Sequence, residues 1–155
     1  MKITTLCYPE SNGKYLMIYR NKKPNDANAG KWIGIGGHIE KGELPSECAH
    51  RELFEETGLR AEKMILAGQI FFYSDIYDNE CMYLYRAEGL SGEISECDEG
   101  ELAWIEKDLI PSLPMWEGDR LFLDMFFDRA PFFTMSLTYE GDTLVSHKVI
   151  KERVV

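Results

Sequence analysis

One stretch of the sequence limits the possible folds more than any other. From Gly37 to Leu59 the chain fits the spacing G-x5-E-x7-R-E-U-x-E-E-x-G-U, where U is an aliphatic residue. The fixed positions are Gly37, Glu43, Arg51, Glu52, Leu53, Glu55, Glu56, Gly58 and Leu59. Pro45 suits the first position of a helix, and Gly58 suits a left-handed C-terminal cap. The pattern therefore predicts a helix over residues 45–57 that follows a glycine-rich turn.

Three glutamates of this helix fall on one side of it. At about 100° per residue, Glu52, Glu55 and Glu56 share one arc of the helix surface, and Leu53 falls on the other side. Like charges at this spacing destabilise an isolated helix, so a bound divalent cation explains them better than a solvated acidic face. Oxygen ligands without histidine or cysteine favour Mg²⁺ or Mn²⁺.

The rest of the chain predicts a sheet covered by helices. Apolar runs separated by turn signals predict strands or hairpins over residues 2–20, 32–37, 64–74, 81–89, 102–106 and 132–150. A second helix is predicted near residues 118–129, where apolar and acidic residues alternate at helical spacing. Two helices with seven or eight strands predict an α/β or α+β sandwich with a mixed sheet.

Composition limits the function. A chain of 155 residues with 45% hydrophobic residues suits one domain, predicted over residues 1–155. The formal net charge of -10 argues against long nucleic acid as a ligand. No apolar run suits a signal peptide or a membrane span, and nothing indicates an obligate protein partner. The cysteines are far apart, which favours reduced thiols in a cytoplasmic protein: Cys7, Cys48, Cys81 and Cys97.

The motif at residues 37–59 resembles the signature of the Nudix hydrolases. The resemblance implies an α/β/α sandwich with a mixed central sheet and a catalytic loop–helix–loop. It also implies metal-dependent hydrolysis of a nucleoside diphosphate linked to a further group. The metal ligands implied by position are the Gly37 carbonyl, Glu52, Glu55 and Glu56. Arg51 matches the arginine that positions a glutamate, and Glu43 matches a glutamate that supports the site from its loop.

Beyond this motif the chain is similar to the MutT-type branch, the 8-oxo-dGTP diphosphatases. The similar segments include "NKKPNDANAGKWIGIGG", "ECDEGELAWIEKDLI", "MWEGDRLF" and the C-terminal hairpin. The resemblance implies that Glu99 joins the metal site, and Asp98 is the alternative one residue away. The implied catalytic set is then Glu43, Arg51, Glu52, Glu55, Glu56 and Glu99.

The segment "PMWEGDRLF" is the candidate base pocket. An 8-oxoguanine presents N1–H and NH₂ donors side by side, and the Asp119 carboxylate could accept from both while Trp116 stacks on the purine. The alternative is that Trp116 is a core aromatic and Asp119 a helix N-terminal charge. Further substrate-binding candidates are Thr5, Lys23, Ile33, Gly36, Gly37 and Phe72. Ile33 and Ala27 stand where relatives carry an asparagine and a phenylalanine that contact the base.

The leading hypothesis is a hydrolase that converts oxidised purine nucleoside triphosphates, 8-oxo-dGTP above all, to the monophosphate and pyrophosphate. Mg²⁺ is the expected cofactor, with Mn²⁺ as a possible substitute. One alternative is a Nudix hydrolase of another nucleoside diphosphate derivative, such as ADP-ribose or a dinucleotide. The other is a nucleotide-sensing module without catalysis, which the complete set of helix glutamates disfavours.

Overall fold

The computed structural model describes residues 1–152, which form nine strands, two α-helices and one 3₁₀ helix. The strands are β1 (Lys2–Ser11), β2 (Lys14–Tyr19), β3 (Trp32–Ile33), β4 (Ile35–His38), β5 (Arg60–Ser74), β6 (Glu80–Ser91), β7 (Glu101–Glu106), β8 (Phe133–Glu140) and β9 (Thr143–Glu152). The α-helices are α1 (Pro45–Thr57) and α2 (Glu117–Phe127), and the 3₁₀ helix is Lys107–Ser112.

The strands form one mixed sheet. Its main order is β3-β2-β1-β6-β5-β8-β9, with β4 also paired to β1 and β7 to β2. The β1–β6 and β5–β8 pairs are parallel, and the remaining pairs are antiparallel. Strand β4 runs along β1 with Gly37 opposite Thr5, so it delivers the chain directly from the sheet centre to the loop before α1.

Local sequence explains the turns that set this topology. Asn12 and Gly13 both have positive φ, 52° and 76°, as a two-residue hairpin turn between β1 and β2 requires. Helix α1 begins with Pro45, and the backbone N–H of Leu44 donates to Glu47 Oε1 over 2.8 Å. The helix ends at Gly58, whose φ of 81° is the left-handed conformation that glycine adopts without strain.

Helices α1 and α2 cover opposite faces of the sheet. Side chains of a strand alternate between faces, and on β1 Leu6 and Tyr8 point toward α2 while Cys7 points toward α1. The α2 face holds the larger cluster, in which Phe122 and Phe126 are fully buried. The α1 face is centred on Leu53, Leu16, Ile18, Ile35 and Tyr85. The predicted α/β/α sandwich with a mixed sheet is thus confirmed.

Most predicted elements are present, with some different ends. Helix α1 has the predicted bounds. Strand β5 begins at Arg60, four residues before the predicted strand, because its first half pairs with β6 although it is largely exposed. The 3₁₀ helix was not predicted. The assignment of residues 1–155 to one domain stays a prediction, and residues 153–155 lie outside the described part. Within residues 1–152, no helix is both long and apolar enough to cross a membrane.

Candidate active site

Arg51 holds the acidic residues at the end of α1 in place. Its Nε and Nη2 donate to both oxygens of Glu43, at 2.7 and 3.0 Å. Its Nη1 donates to Glu52 Oε1 at 2.8 Å and to Glu55 Oε2 at 3.1 Å. Its Nη2 also reaches the carbonyl oxygen of His38 at 3.2 Å. One guanidinium therefore connects the loop before the helix to two glutamates on the helix.

Glu43 is held as a carboxylate. Its two hydrogen bonds from Arg51, followed by one from the backbone N–H of Glu40, lower its pKa to about 2. With its oxygens committed to these donors, Glu43 is suited to fix the loop rather than to take up a proton.

Gly37 lies directly against the carboxylate of Glu52. A Cβ at position 37 would lie 2.6 Å from Cδ and Oε1 of Glu52, so only glycine leaves this carboxylate where it is. Gly36 packs in the same way against the backbone of Thr5. Burial raises the pKa of Glu52, and the carboxylates of Glu55 and Glu99 add to this while Arg51 opposes it.

Glu56 is the most buried of the helix glutamates. It is 8% exposed, and its Oε2 has no hydrogen-bond partner among the described residues. Burial raises its pKa, and the neighbouring carboxylate of Glu99 raises it further. A buried oxygen without a hydrogen-bond partner carries a desolvation cost, which a bound cation would offset.

Glu99 comes to this cluster from the loop after β6. Lys23 Nζ donates to its Oε1 at 2.8 Å, and Arg20 Nη1 lies 3.6 Å from its Oε2. Glu56, then Lys23 and Arg20, lower the pKa of Glu99. Lys22 binds the carbonyl oxygen of Cys97 at 3.0 Å and ties the same two loops together. Asp98, the alternative to Glu99, is exposed.

The donor set fits a hard divalent cation. The Glu99 carboxylate helps to raise the pKa values of Glu52 and Glu56, and Oε2 of Glu56 is a buried oxygen without a hydrogen-bond partner among the described residues. Mg²⁺ and similar cations take such oxygen ligands. Among residues 1–152 no three acidic, histidine or cysteine side chains already converge in metal-binding geometry. Glu55 is 55% exposed and paired with Arg51. The residues that could hold a cation are Glu52, Glu55, Glu56, Glu99 and the Gly37 carbonyl.

A cavity of about 550 Å³ opens on the α2 face of the sheet. Its wall includes Ile33 and Phe72, Leu6 and Met82 from the sheet, and Trp116 and Asp119 from the start of α2. His38 also lines it, and the His38 carbonyl accepts from Arg51. The cavity and the glutamate cluster therefore meet at the end of β4.

Asp119 is a buried carboxyl in this wall, 6% exposed. Burial raises its pKa to about 7, and the Glu80 carboxylate adds to the shift while Arg120 and Lys31 oppose it. Thr4 donates to Glu80 Oε2 at 2.7 Å, so Glu80 already has a partner. Asp119 can thus change its protonation near neutral pH and offer either two acceptor oxygens or one donor.

Trp116 is fixed from three sides. Its Nε1 donates to Asn28 Oδ1 at 2.8 Å, Lys31 Nζ lies 4.3 Å from its ring centre, and Tyr139 meets it edge-on at 5.3 Å. Tyr139 in turn accepts a 2.8 Å hydrogen bond from the backbone N–H of Gly118. These contacts hold the indole as one flat wall of the cavity.

Four of the eight substrate-binding candidates line the cavity, and the other four lie outside its wall. Ile33, Phe72, Trp116 and Asp119 line the cavity. Thr5 lies under α1, where its Oγ1 is 3.3 Å from Cys48 Sγ, and Lys23 is paired with Glu99. Gly36 and Gly37 lie at the end of β4 beside the glutamates. Trp32 and Trp104 are partly buried and pack against the two core clusters.

Sequence reasoning missed several residues of the cavity wall: Asn28, Glu80 and Tyr139. They come from a loop, the start of β6 and the last hairpin, and no spacing in the sequence connects them. The hydrogen bond between Asn28 and Trp116, 88 residues apart, shows the kind of contact that only the folded chain reveals.

Known proteins resemble this chain over nearly its full length. The NUDIX domain family model matches residues 3–126. The chain is 33% identical to an oxidized purine nucleoside triphosphate hydrolase from Danio rerio, over 96% of this chain and 94% of that one. It is 28% identical to the protein of the same name from Mus musculus, over 82% of each. The solved structure of the mMutator MutT protein from Bacillus halodurans superposes with a TM-score of 0.86 over 99% of this chain and all of that one, at 26% identity.

Proposed function

The chain belongs to the NUDIX family and is a Nudix hydrolase, and we propose that it hydrolyses oxidised purine nucleoside triphosphates, 8-oxo-dGTP above all. The products are the nucleoside monophosphate and pyrophosphate. Nudix hydrolases act on nucleotides and use divalent metal ions, and Mg²⁺ is the cofactor proposed here, with Mn²⁺ as a substitute. The observation that carries the proposal is a buried carboxyl, Asp119, beside an aromatic wall in a cavity that adjoins the glutamate cluster.

The glutamate cluster supports the hydrolytic half of the proposal. When bound, divalent cations neutralise the oxygens of a phosphate chain and make water a better nucleophile. Arg51 orients Glu52 and Glu55 through Nη1, and Glu43 anchors Arg51 to the loop. Oε2 of Glu56, which has no hydrogen-bond partner in the described part of the chain, can bind a cation or accept a proton from water. Arg20 and Lys23 hold Glu99 next to Glu56.

The cavity supports the purine half. Its volume of about 550 Å³ falls in the range of small-ligand sites and suits a nucleotide base with part of its sugar. Trp116 offers a flat surface for stacking, and ionised Asp119 can accept the N1–H and NH₂ donors of a guanine-type edge. Because Asp119 is almost fully buried, its interaction with a base is shielded from water and contributes strongly to selectivity.

The free thiols support the compartment expected from the sequence. Cys7, Cys48, Cys81 and Cys97 are buried and none is in a disulfide. Buried thiols are typical of proteins in a reducing compartment, and the cytoplasm is the location proposed here.

The decisive test compares 8-oxo-dGTP with dGTP. Purified protein with Mg²⁺ should show a much higher kcat/KM for 8-oxo-dGTP, with 8-oxo-dGMP and pyrophosphate as products by chromatography. Removal of the metal by EDTA should stop the reaction, and Glu56→Gln is the matched inactive control. Equal kcat/KM values for the two nucleotides would remove the preference for oxidised purines and leave a general nucleoside triphosphate pyrophosphohydrolase.

A substrate panel separates this proposal from other Nudix activities. ADP-ribose, dinucleotides and dinucleoside polyphosphates should be hydrolysed far more slowly than 8-oxo-dGTP, and a faster reaction with any of them would replace the proposed substrate. Hydrolysis in ¹⁸O-labelled water should place the label in pyrophosphate, as expected for attack at the β-phosphorus. Label found in the nucleoside monophosphate would instead place the attack at the α-phosphorus.

A further inference from the structure

Asn28 joins the loop of residues 20–31 to the cavity. Its Oδ1 accepts the 2.8 Å hydrogen bond from Trp116 Nε1, and the residue lines the cavity together with Trp116 and Asp119. We propose that Asn28 is a specificity-determining residue whose amide N–H groups donate to the 6-oxo group of a guanine-type base. The inference rests on the proposed function, because it assumes that the cavity binds a purine base and names the 6-oxo group as the atom that Asn28 recognises.

The indole of Trp116 fixes which way the Asn28 amide faces. An indole N–H can only donate, so the amide atom opposite it must be Oδ1, and the two N–H donors of Nδ2 lie on the other side of the amide carbon. Within residues 1–152, the hydrogen bonds of Asn28 use its backbone and Oδ1 and leave Nδ2 for a further acceptor.

The loop holds Asn28 rigidly enough to read a base. The backbone N–H of Asn28 donates to Asp26 Oδ1 at 3.1 Å, and its carbonyl accepts from the N–H of Lys31 at 3.0 Å. Asp26 is itself fixed, because its Oδ2 accepts from Arg20 Nε at 2.8 Å and both side chains are largely buried. A side chain positioned by such a network keeps its geometry when a ligand binds.

The loop of residues 20–31 contributes two residues to the cavity wall, Ala27 and Asn28. Ala27 and Ile33 line the cavity but have no polar side-chain atom, and the N–H of Trp116 is already used by Asn28. Asp119, when ionised, can only accept hydrogen bonds. Asn28 is therefore the residue of this loop that brings a hydrogen-bond donor into the cavity that holds the acceptor Asp119.

The two residues together match one purine edge and not the other. A guanine-type edge presents NH₂, N1–H and the 6-oxo oxygen in sequence, that is, two donors followed by an acceptor. Asp119 can accept from the two donors, and Nδ2 of Asn28 can donate to the oxygen. An adenine-type edge presents a 6-amino donor and an N1 acceptor instead. The amino group would then face the donor of Asn28, and N1 would face the acceptor oxygens of Asp119.

Binding of nucleoside monophosphates to metal-free protein tests this without any hydrolysis. Wild type should bind 8-oxo-dGMP more tightly than 8-oxo-dAMP, as measured by tryptophan fluorescence or calorimetry. Asn28→Asp keeps the acceptor for Trp116 but replaces the donor by an acceptor, so the ratio of the two Kd values should shift by about tenfold or more toward 8-oxo-dAMP. Asn25→Asp, the same change at an exposed position of the same loop, is the matched control and should leave the ratio unchanged.

A second measurement keeps the test valid if Asn28→Asp does not fold. The 6-thio analogue of dGMP keeps the N1–H and NH₂ donors but has a sulfur that accepts weakly. Wild type should bind it several times more weakly than dGMP, and Asn28→Ala should remove this difference. If wild type binds 8-oxo-dGMP while both Asn28 variants keep the wild-type ratios, the inference fails and the proposed function stands. If wild type binds neither monophosphate, the inference fails, and the comparison of 8-oxo-dGTP with dGTP decides the proposed function separately.

Discussion

The two faces of the sheet handle negative charge in opposite ways. On the α1 face, Glu43, Glu52 and Glu55 gather around Arg51. Glu56 lies buried beside Glu99, and its Oε2 has no hydrogen-bond partner within residues 1–152. On the α2 face, the cavity places one almost fully buried carboxyl, Asp119, among aromatic and aliphatic walls. The first face brings several carboxylates together, and the second buries one carboxyl, Asp119, in a largely apolar wall.

This difference indicates a division of tasks. Crowded carboxylates raise each other's free energy and favour a bound cation, which suits work on the phosphate chain that all nucleotides share. A buried carboxyl contributes directional hydrogen bonds, and these distinguish one base from another. The faces meet at His38, which lines the cavity and whose carbonyl binds Arg51. Changes on the α1 face should therefore affect all substrates alike, and changes on the α2 face should affect selectivity.

The largest effect is expected for Glu56→Gln. Turnover should fall on the order of 10³-fold for every nucleotide, because the variant removes a charged oxygen ligand or proton acceptor. The raised pKa of Glu56 means that its ionised form destabilises the metal-free fold as pH rises above the ordinary value of 4.5. Metal-free Glu56→Gln should thus unfold at a higher temperature than wild type at pH 8. If Glu56→Gln stayed active, or lost activity with one nucleotide and kept it with others, the α1 face would not serve all nucleotides alike.

Asp119→Asn should have the next largest effect, confined to the base. We expect kcat/KM for 8-oxo-dGTP to fall about a hundredfold, since the amide presents a donor to the donors of the base. The Mg²⁺ concentration that gives half-maximal rate should stay within about twofold of the wild-type value. Steady-state kinetics over a metal titration measures both quantities. If the metal dependence moved as much as the selectivity, the two faces would not be separable.

Gly37→Ala sharpens the comparison on the α1 face. The added Cβ meets the end of the Glu52 side chain, which can move, so the fold should remain stable while the displaced carboxylate lowers turnover about tenfold for all nucleotides. Gly42→Asn is the matched control, because position 42 has open space and a left-handed φ of 80° that asparagine tolerates. A melting temperature that drops while kcat is retained would show that Gly37 serves the fold only.

The smallest effect concerns pH. Asp119 has a pKa of about 7, so the fraction able to accept from two donors rises between pH 6 and pH 8. The kcat/KM for 8-oxo-dGTP should rise severalfold over this range in wild type, and Asp119→Asn should lack this component. Because the folded-state pKa is raised, ionisation costs stability: wild type should lose stability relative to Asp119→Asn as pH increases from about 4 to about 7. If kcat/KM for 8-oxo-dGTP changed with pH in the same way in wild type and Asp119→Asn, Asp119 would have no part in base recognition.

Sequence reasoning predicted the α1 face far better than the α2 face. The bounds of α1, its left-handed cap at Gly58 and the gathering of glutamates follow from residues within one continuous stretch. Helical geometry relates such neighbours by fixed angles, and a spacing of three or four residues already states which side chains meet. The prediction of Glu99 needed the family resemblance, because its partner Glu56 lies more than forty residues away.

The cavity could be predicted only in fragments. Trp116 and Asp119 were found from the chemistry of one segment, while Asn28, Glu80 and Tyr139 were not, and Thr5 lies under α1 rather than on the cavity wall. The face on which a strand residue lies depends on the register of its strand, which a single sequence does not reveal. For a pocket built from several strands and loops, the side chains that line it therefore cannot be predicted position by position from the sequence.

The sequence by itself determined the helix of glutamates and the mixed sheet covered by helices, because each depends on local spacing or on alternation along one strand. The class of chemistry followed from the resemblance of the motif at residues 37–59 to the Nudix signature. The tertiary structure decided that Asn28 faces Trp116, that Asp119 is buried enough for its pKa to reach about 7, and that the cavity meets the glutamates at His38. These properties depend on the burial and close approach of residues that are distant in the chain, and such contacts form only when the sheet is assembled.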